Sequence, residues 1–290
     1  MKRKNFFYGG VMALMMAFSM SACSESDDPK PDTGGTDDPT NLDYTAENAD
    51  AWGNYMYNVG MLLNQDASDL YKYWTEDYDG KGPYATIFKD QTSGAYSSAL
   101  ACIQEMVEGG MWNIANEVGD AKIKDPWEKY TSGDKEGGLY AVESWYSWHS
   151  RDDYTNNIYS IRNAYYGSLD GKVSDKSISK LVAGVNAELD MKVSAAITTA
   201  ASAIQAIPQP FRNNINSQET VAAIKACEEL ESVLDKELKP YIRDNSTINS
   251  NEALDPIVEN YVNVVVLPTY KDLKEKNSTL YDAAVALANN

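Results

Sequence analysis

One histidine, His149, is all that 290 residues supply, so any site built from several imidazoles is excluded for this chain. Cysteine is almost as scarce, with Cys23, Cys102 and Cys227 as the whole set. Positive charge is scarce too: 25 Lys and Arg stand against 43 Asp and Glu, a formal net charge of −18. Beyond Lys2, Arg3 and Lys4 no basic run exists, so phosphate backbones are repelled and nucleic acid is excluded as a partner. The chain has no HExxH, no GxSxG, no Walker loop and no Rossmann glycine pattern, hence no recognisable catalytic engine. It also lacks sustained period-two alternation, which removes the main signal for a sheet.

What is present begins with an address. Lys2, Arg3 and Lys4 precede an apolar stretch, Phe6 to Ala22, that ends at Met20-Ser21-Ala22-Cys23. This is the pattern of a secretory signal, and small residues directly before a cysteine match a bacterial lipobox. We therefore expect residues 1–22 to be a lipoprotein signal peptide and Cys23 to be acylated, with several chains giving stable anchoring to a membrane. Removing 1–22 takes three positive charges and leaves −21. Residues 23–41 are rich in Asp, Pro, Gly, Ser and Thr, without a large apolar side chain after the cysteine, and read as a disordered acidic tether. An acidic stretch after the lipid cysteine resembles surface-export signals of Bacteroides-type lipoproteins. The expected location is the cell envelope, lipid-anchored at the outer membrane, with either the periplasmic or the surface face compatible with the sequence. Cys102 and Cys227 both lie in apolar helical stretches, where a bridge and two buried free thiols are equally compatible with the sequence.

Residues 42–290 carry helical periodicity almost throughout. Apolar residues recur at three- and four-residue spacing over 44–77 and again over 93–118, where Gly119 suggests a C-cap and Asp125-Pro126 a stop. A third helix is expected over 138–166, a fourth over 174–207, a fifth from Ser217 with Pro240 interrupting it, and a sixth opened by Asp255-Pro256. Val262 to Leu267 is β-branched but isolated among helical neighbours. The expected fold class is all-α, long antiparallel helices packed as a bundle.

The polar residues concentrate in two places. On the expected third helix, Glu143, Ser147, Ser150 and Asn157 fall near one stripe, as do His149, Asp153 and Asn157, and Lys is absent. Short polar groups among Trp and Tyr suggest either an interhelical hydrogen-bond network or a wall facing a ligand. The second place is the segment around Glu117 and Lys122, five apart across Gly119 and so not at the spacing of an ordinary helical ion pair. His149 with Asp152 and Asp153 would make only a weak, open metal site, and a hydrogen-bonded surface or groove histidine is the simpler reading.

These two segments carry a family resemblance. The motif IANEVGDAKIKDP at 114–126 and Glu143, Ser144, Ser147, Ser150, Asp153, Asn157, Ile158, Asn163, Tyr165 and Gly167 resemble the imelysin-like proteins, also called M75 peptidases or insulin-cleaving membrane proteases. The opening segment and VENYVNVVVLPTYKDLKEKNSTLYDAAVAL at 258–287 are similar to that family as well. The resemblance implies an imelysin-like helical domain over 42–290, a role in iron acquisition, and a ligand cleft formed by Glu117, Lys122, Glu143, Ser144, Ser147, His149, Asp153 and Asn157. It implies a cation, divalent metal or iron, a haem-like ligand or a peptide as what the cleft holds. Two departures stand out. The family's Gly-x-His-x-x-Glu motif is absent, which leaves the peptidase activity without its hallmark. The VVLPTY helix usually opens the family domain but closes this chain, so the expected order is permuted or the domain incomplete. Abundant Tyr and Trp on an anchored helical protein leave surface glycan binding as a further reading.

Overall fold

The structure is a computed structural model and describes residues 45–91, 94–144 and 147–288. The expected signal peptide, Cys23 and the acidic tether lie outside the described residues. Among those described there is no strand, and the all-α architecture holds.

Helix α1 (Ala49–Thr75) is followed by short α2 (Tyr84–Asp90) and by α3, an unbroken helix over 99–132. A short α4 (Lys135–Tyr140) leads through an irregular stretch to α5 (Ser150–Tyr166). Then come α6 (Ile178–Ala183), α7 (Ala187–Ala206), a 3₁₀ turn at Phe211–Asn213, α8 over 218–244 and α9 over 251–288. Helix α1 packs along α9, α7 lies between α5 and α8, and α3 runs across α8.

The three longest composite helices are not pure α. Helix α3 contains π segments at Glu105–Trp112 and Glu117–Lys124, α8 one at Leu234–Leu238, and α9 one at Tyr261–Val266. Three of these four segments end two residues before a proline: Pro126, Pro240 and Pro268. A proline inside a helix supplies no N–H and clashes with the carbonyl four residues back. Those carbonyls belong to Lys122, Lys236 and Val264, all within the π segments, where the helix is locally wider and the i−4 ladder already interrupted. The prolines are thus carried inside continuous helices. This corrects the stops expected at Pro126 and Pro240 and the start expected at Pro256, which lies inside a helix capped by the Ser250 side chain. The β-branched run at 262–267 is likewise helical, within and just after the π segment of α9.

Gly119 is not a C-cap either. It lies inside α3, where an added Cβ would stand 2.8 Å from the Cβ of Cys227 on α8, so its role is to let two helices approach closely. Cys102 and Cys227 are buried free thiols, and burial pushes both up to about 12. The expected fourth helix is two, separated at Gly184 to Asn186, whose side chain caps α7 at Leu189 N. An aromatic cluster ties the α1–α2 corner to α9: Trp74 meets Tyr84 at 5.0 Å and Tyr270 at 5.7 Å, and Phe88 meets Tyr96 at 5.0 Å and Tyr261 at 6.3 Å. No helix among the described residues is long and apolar enough to cross a membrane.

Candidate functional site

The expected helix over 138–166 is interrupted between Tyr140 and Ser150, and this break builds the polar site. Ser144 and Trp148 both have left-handed backbone, with φ of 53° and 64°, conformations that non-glycine residues adopt only when their surroundings hold them there. The single stripe expected for Glu143, Ser147, Ser150 and Asn157 therefore does not exist, because the first two precede the helix.

The break turns Glu143 toward the second π segment of α3. Lys122, only 2% exposed at its side chain, places Nζ 2.9 and 2.7 Å from the two carboxylate oxygens of Glu143. The same ammonium stands 3.3 Å from Glu117 Oε1. The five-residue spacing that no α-helical ion pair would use is served by a π turn, whose period brings residues i and i+5 onto one side. The Glu143 backbone carbonyl accepts from the Ser150 hydroxyl at the start of α5, and the Ser144 hydroxyl donates to Asp153 one turn on. Beneath them Tyr154 is fully buried. Burial first, then the Glu143 charge, pushes its phenol well above the ordinary tyrosine range.

Glu117, Lys122, Glu143, Ser144 and Asp153 are thus brought together, from α3, the break and α5. Asn157 is buried on α5 one turn beyond Asp153, with its carbonyl accepting from the Ser160 hydroxyl at 2.7 Å. Ser147 and His149 stay outside. Ser147 is exposed and donates to the Ser144 carbonyl at 3.3 Å. The His149 side chain is 68% exposed, and its Nδ1 stands 3.9 Å from Asp152, which also takes long hydrogen bonds from Gln205 and Gln209 at 3.3 Å. The expectation that His149 and Ser147 face the cleft is corrected on this ground: both fall where the chain turns outward between two helices.

No sequence signal marks Arg212, which is 1% exposed and lies 4.5 Å from the Trp148 ring, holding the outer end of the break against the body. It sits in a 3₁₀ turn with no periodicity to mark it.

The cluster counts three carboxylates and one ammonium, an excess of two negative charges when all are ionised. A metal fits it poorly, since the Lys122 ammonium already stands between the Glu117 and Glu143 carboxylates. Among the described residues no group of three or more His, Cys, Asp or Glu could hold a metal ion.

A family model described as Imelysin, Peptidase_M75, matches residues 27–236. The chain belongs to the imelysin family. An imelysin peptidase from Bacteroides ovatus is 58% identical over 87% of this chain and 72% of its own, with a TM-score of 0.82. A candidate iron-regulated protein A precursor from Parabacteroides distasonis is 38% identical over 60% of this chain and 52% of its own, with a TM-score of 0.57. No curated protein matches. The two motifs behind the family resemblance, 114–126 and 143–167, meet at the Lys122 ammonium.

Proposed function

We propose that this imelysin-family protein is a lipid-anchored binding protein of the cell envelope that acts in iron acquisition, rather than a peptidase. The observation that carries this reading is the placement of Lys122. Its ammonium holds both Glu117 and Glu143, so neither carboxylate is left as a metal ligand or as a base to activate water, which metal-assisted hydrolysis requires. Residual negative charge at Asp153 and around the rim favours a cationic or metal-bearing ligand, ferric iron or haem among them, and a peptide amine by the same electrostatics. The iron role rests on the name of the Parabacteroides relative, and the anchor on Cys23 and the acidic residues after it.

The test uses the full mature chain with two probes, haemin and ferric citrate, followed by tryptophan quenching. A parallel incubation with insulin is run with and without EDTA. Saturable quenching that Asp153→Asn weakens, without a matching fall in Tm, is the expected result. EDTA-sensitive cleavage of insulin would instead establish the peptidase reading. For the anchor, Cys23→Ala should release the protein from the membrane fraction; retention equal to the wild type rejects it.

A further inference from the structure

A second concavity lies away from Lys122, between α5 and the π segment of α9, with a volume of about 360 Å³. Its floor is apolar and aromatic: Tyr261, Val265, Val266 and Tyr270, all buried. Its α5 wall carries Tyr159, Ser160, Arg162 and Asn163. The size is that of a small-molecule site, and the composition, an apolar body with a few convergent polar groups, is the usual one.

Arg162 decides the ligand class. Its Nε and Nη2 donate to Asn163 Oδ1 at 3.3 and 3.0 Å, and its guanidinium lies 4.5 Å from the Tyr159 ring centroid, so the group is held in one pose. Among the described residues no carboxylate pairs with it and its Nη1 has no hydrogen-bond acceptor. That is unusual in a chain with 43 acidic side chains against 25 basic ones. The nearest acid in sequence, Asp170, is turned to Lys172, with Nζ at 3.3 Å and the backbone N at 3.0 Å. Gly171 follows Asp170 with φ of 78°, and this turn lies beside the guanidinium, where a Cβ would reach only ordinary contact, 3.5 Å from Cζ and Nη1.

We infer that this cavity binds a small organic carboxylate with an aromatic body. The carboxylate meets Arg162 Nη1, and the ring rests on Tyr261, Val265 and Tyr270, while the Ser160 hydroxyl stays committed to the Asn157 carbonyl. A single fixed guanidinium suits one negative charge, since a phosphate dianion would be left undercompensated inside a protein of net charge −18. The aromatic floor supplies the remaining contact through offset ring packing and burial of apolar surface. The widened π turn at Tyr261–Val266 gives the room, as such turns often do at binding sites.

The probe is phenylacetate, titrated into the full chain and followed by saturation-transfer difference NMR, beside phenylacetamide as the neutral isostere and inorganic phosphate. Saturable phenylacetate binding is expected, about tenfold or more tighter than phenylacetamide, because a charge-assisted contact is absent from the amide. Arg162→Gln should remove that preference, and Thr269→Phe, which fills the cavity from α9, should abolish binding of both. Should either variant fold poorly by circular dichroism, the wild-type preference for acid over amide still decides. Absence of saturable phenylacetate binding, equal binding of acid and amide, or phosphate competing as well as phenylacetate overturns the inference. Asp153→Asn leaves this site untouched, so its fate is separate from that of the iron reading.

Discussion

Glu105–Trp112 and Glu117–Lys124 are two π turns of one helix, and each begins with a glutamate aimed off the helix, yet they end as different environments. In the second turn, Glu117 and the incoming Glu143 are both answered by Lys122, and the ammonium sits almost wholly buried among them. In the first, Glu108 is answered from α8 by Lys239 at 2.7 Å, while Glu105 has no hydrogen-bond partner or counter-ion among the described residues. The Glu105 carboxylate lies over Gly109, where a Cβ would collide with it, and lines a cleft of about 510 Å³ with Tyr96 and Trp112. Burial first, and then the neighbouring Glu108, raises its pKa above the ordinary glutamate value. A π turn places a carboxylate at an unusual spacing. Whether the result is a closed ion network or an open cleft depends on which cation a neighbouring segment delivers.

The largest break in this comparison should come from Lys122→Met. It leaves Glu117 and Glu143 facing each other without their shared cation, and the expected loss is about 3 kcal/mol, read by urea unfolding. A loss below about 0.5 kcal/mol would mean that the network is solvated and unlike a buried one. Next is Gly119→Ala, which pushes a methyl onto the Cys227 Cβ from inside the same π turn. Overpacking at a helix crossing costs about 1–3 kcal/mol, whereas an ordinary helical Gly→Ala change would stabilise. Glu117→Ala should be milder, roughly 0.5–1 kcal/mol, since Lys122 keeps its two contacts to Glu143.

The smallest effect has the opposite sign. With its folded pKa raised, the ionised Glu105 carboxylate opposes folding above that pKa, and protonation relieves the strain as pH falls toward the unfolded value. Glu105→Gln should therefore raise Tm slightly at pH 7, with the gain shrinking as the pH falls through the raised pKa toward about 4.3, the ordinary glutamate value. A gain that persists unchanged down to pH 4 would assign the effect to something other than the charge.

Much of the fold was legible because burial has a period. Leu230 and Leu234 on α8, or Ile158 and Ile161 on α5, recur at helical spacing and are all buried. Breaks were less legible. Pro126 and Pro240 signal a stop and Pro256 a start by local stereochemistry, but packing on both sides of each keeps the helix going, and a wider turn absorbs the first two. Residues 141–144 and 147–149 were the reverse case, helical in composition but opened by the left-handed turns at Ser144 and Trp148.

The site divides along the same line. All eight candidate side chains could be named from their motifs alone, and five of them, Glu117, Lys122, Glu143, Ser144 and Asp153, do gather. Their geometry could not, because the pairing of Glu117 with Lys122 needs a π turn, and no local rule distinguishes that from an α turn until α8 presses Cys227 against Gly119. The sequence by itself determined an acidic, helical chain with one imidazole, since these depend on composition and on short-range pattern. Only the tertiary structure decided that Lys122 is shared by two carboxylates, that Glu105 and Arg162 meet no opposite charge among the described residues, and that His149 points away. Each of these depends on which charge a distant segment brings within about 4 Å, the range over which an ion pair forms.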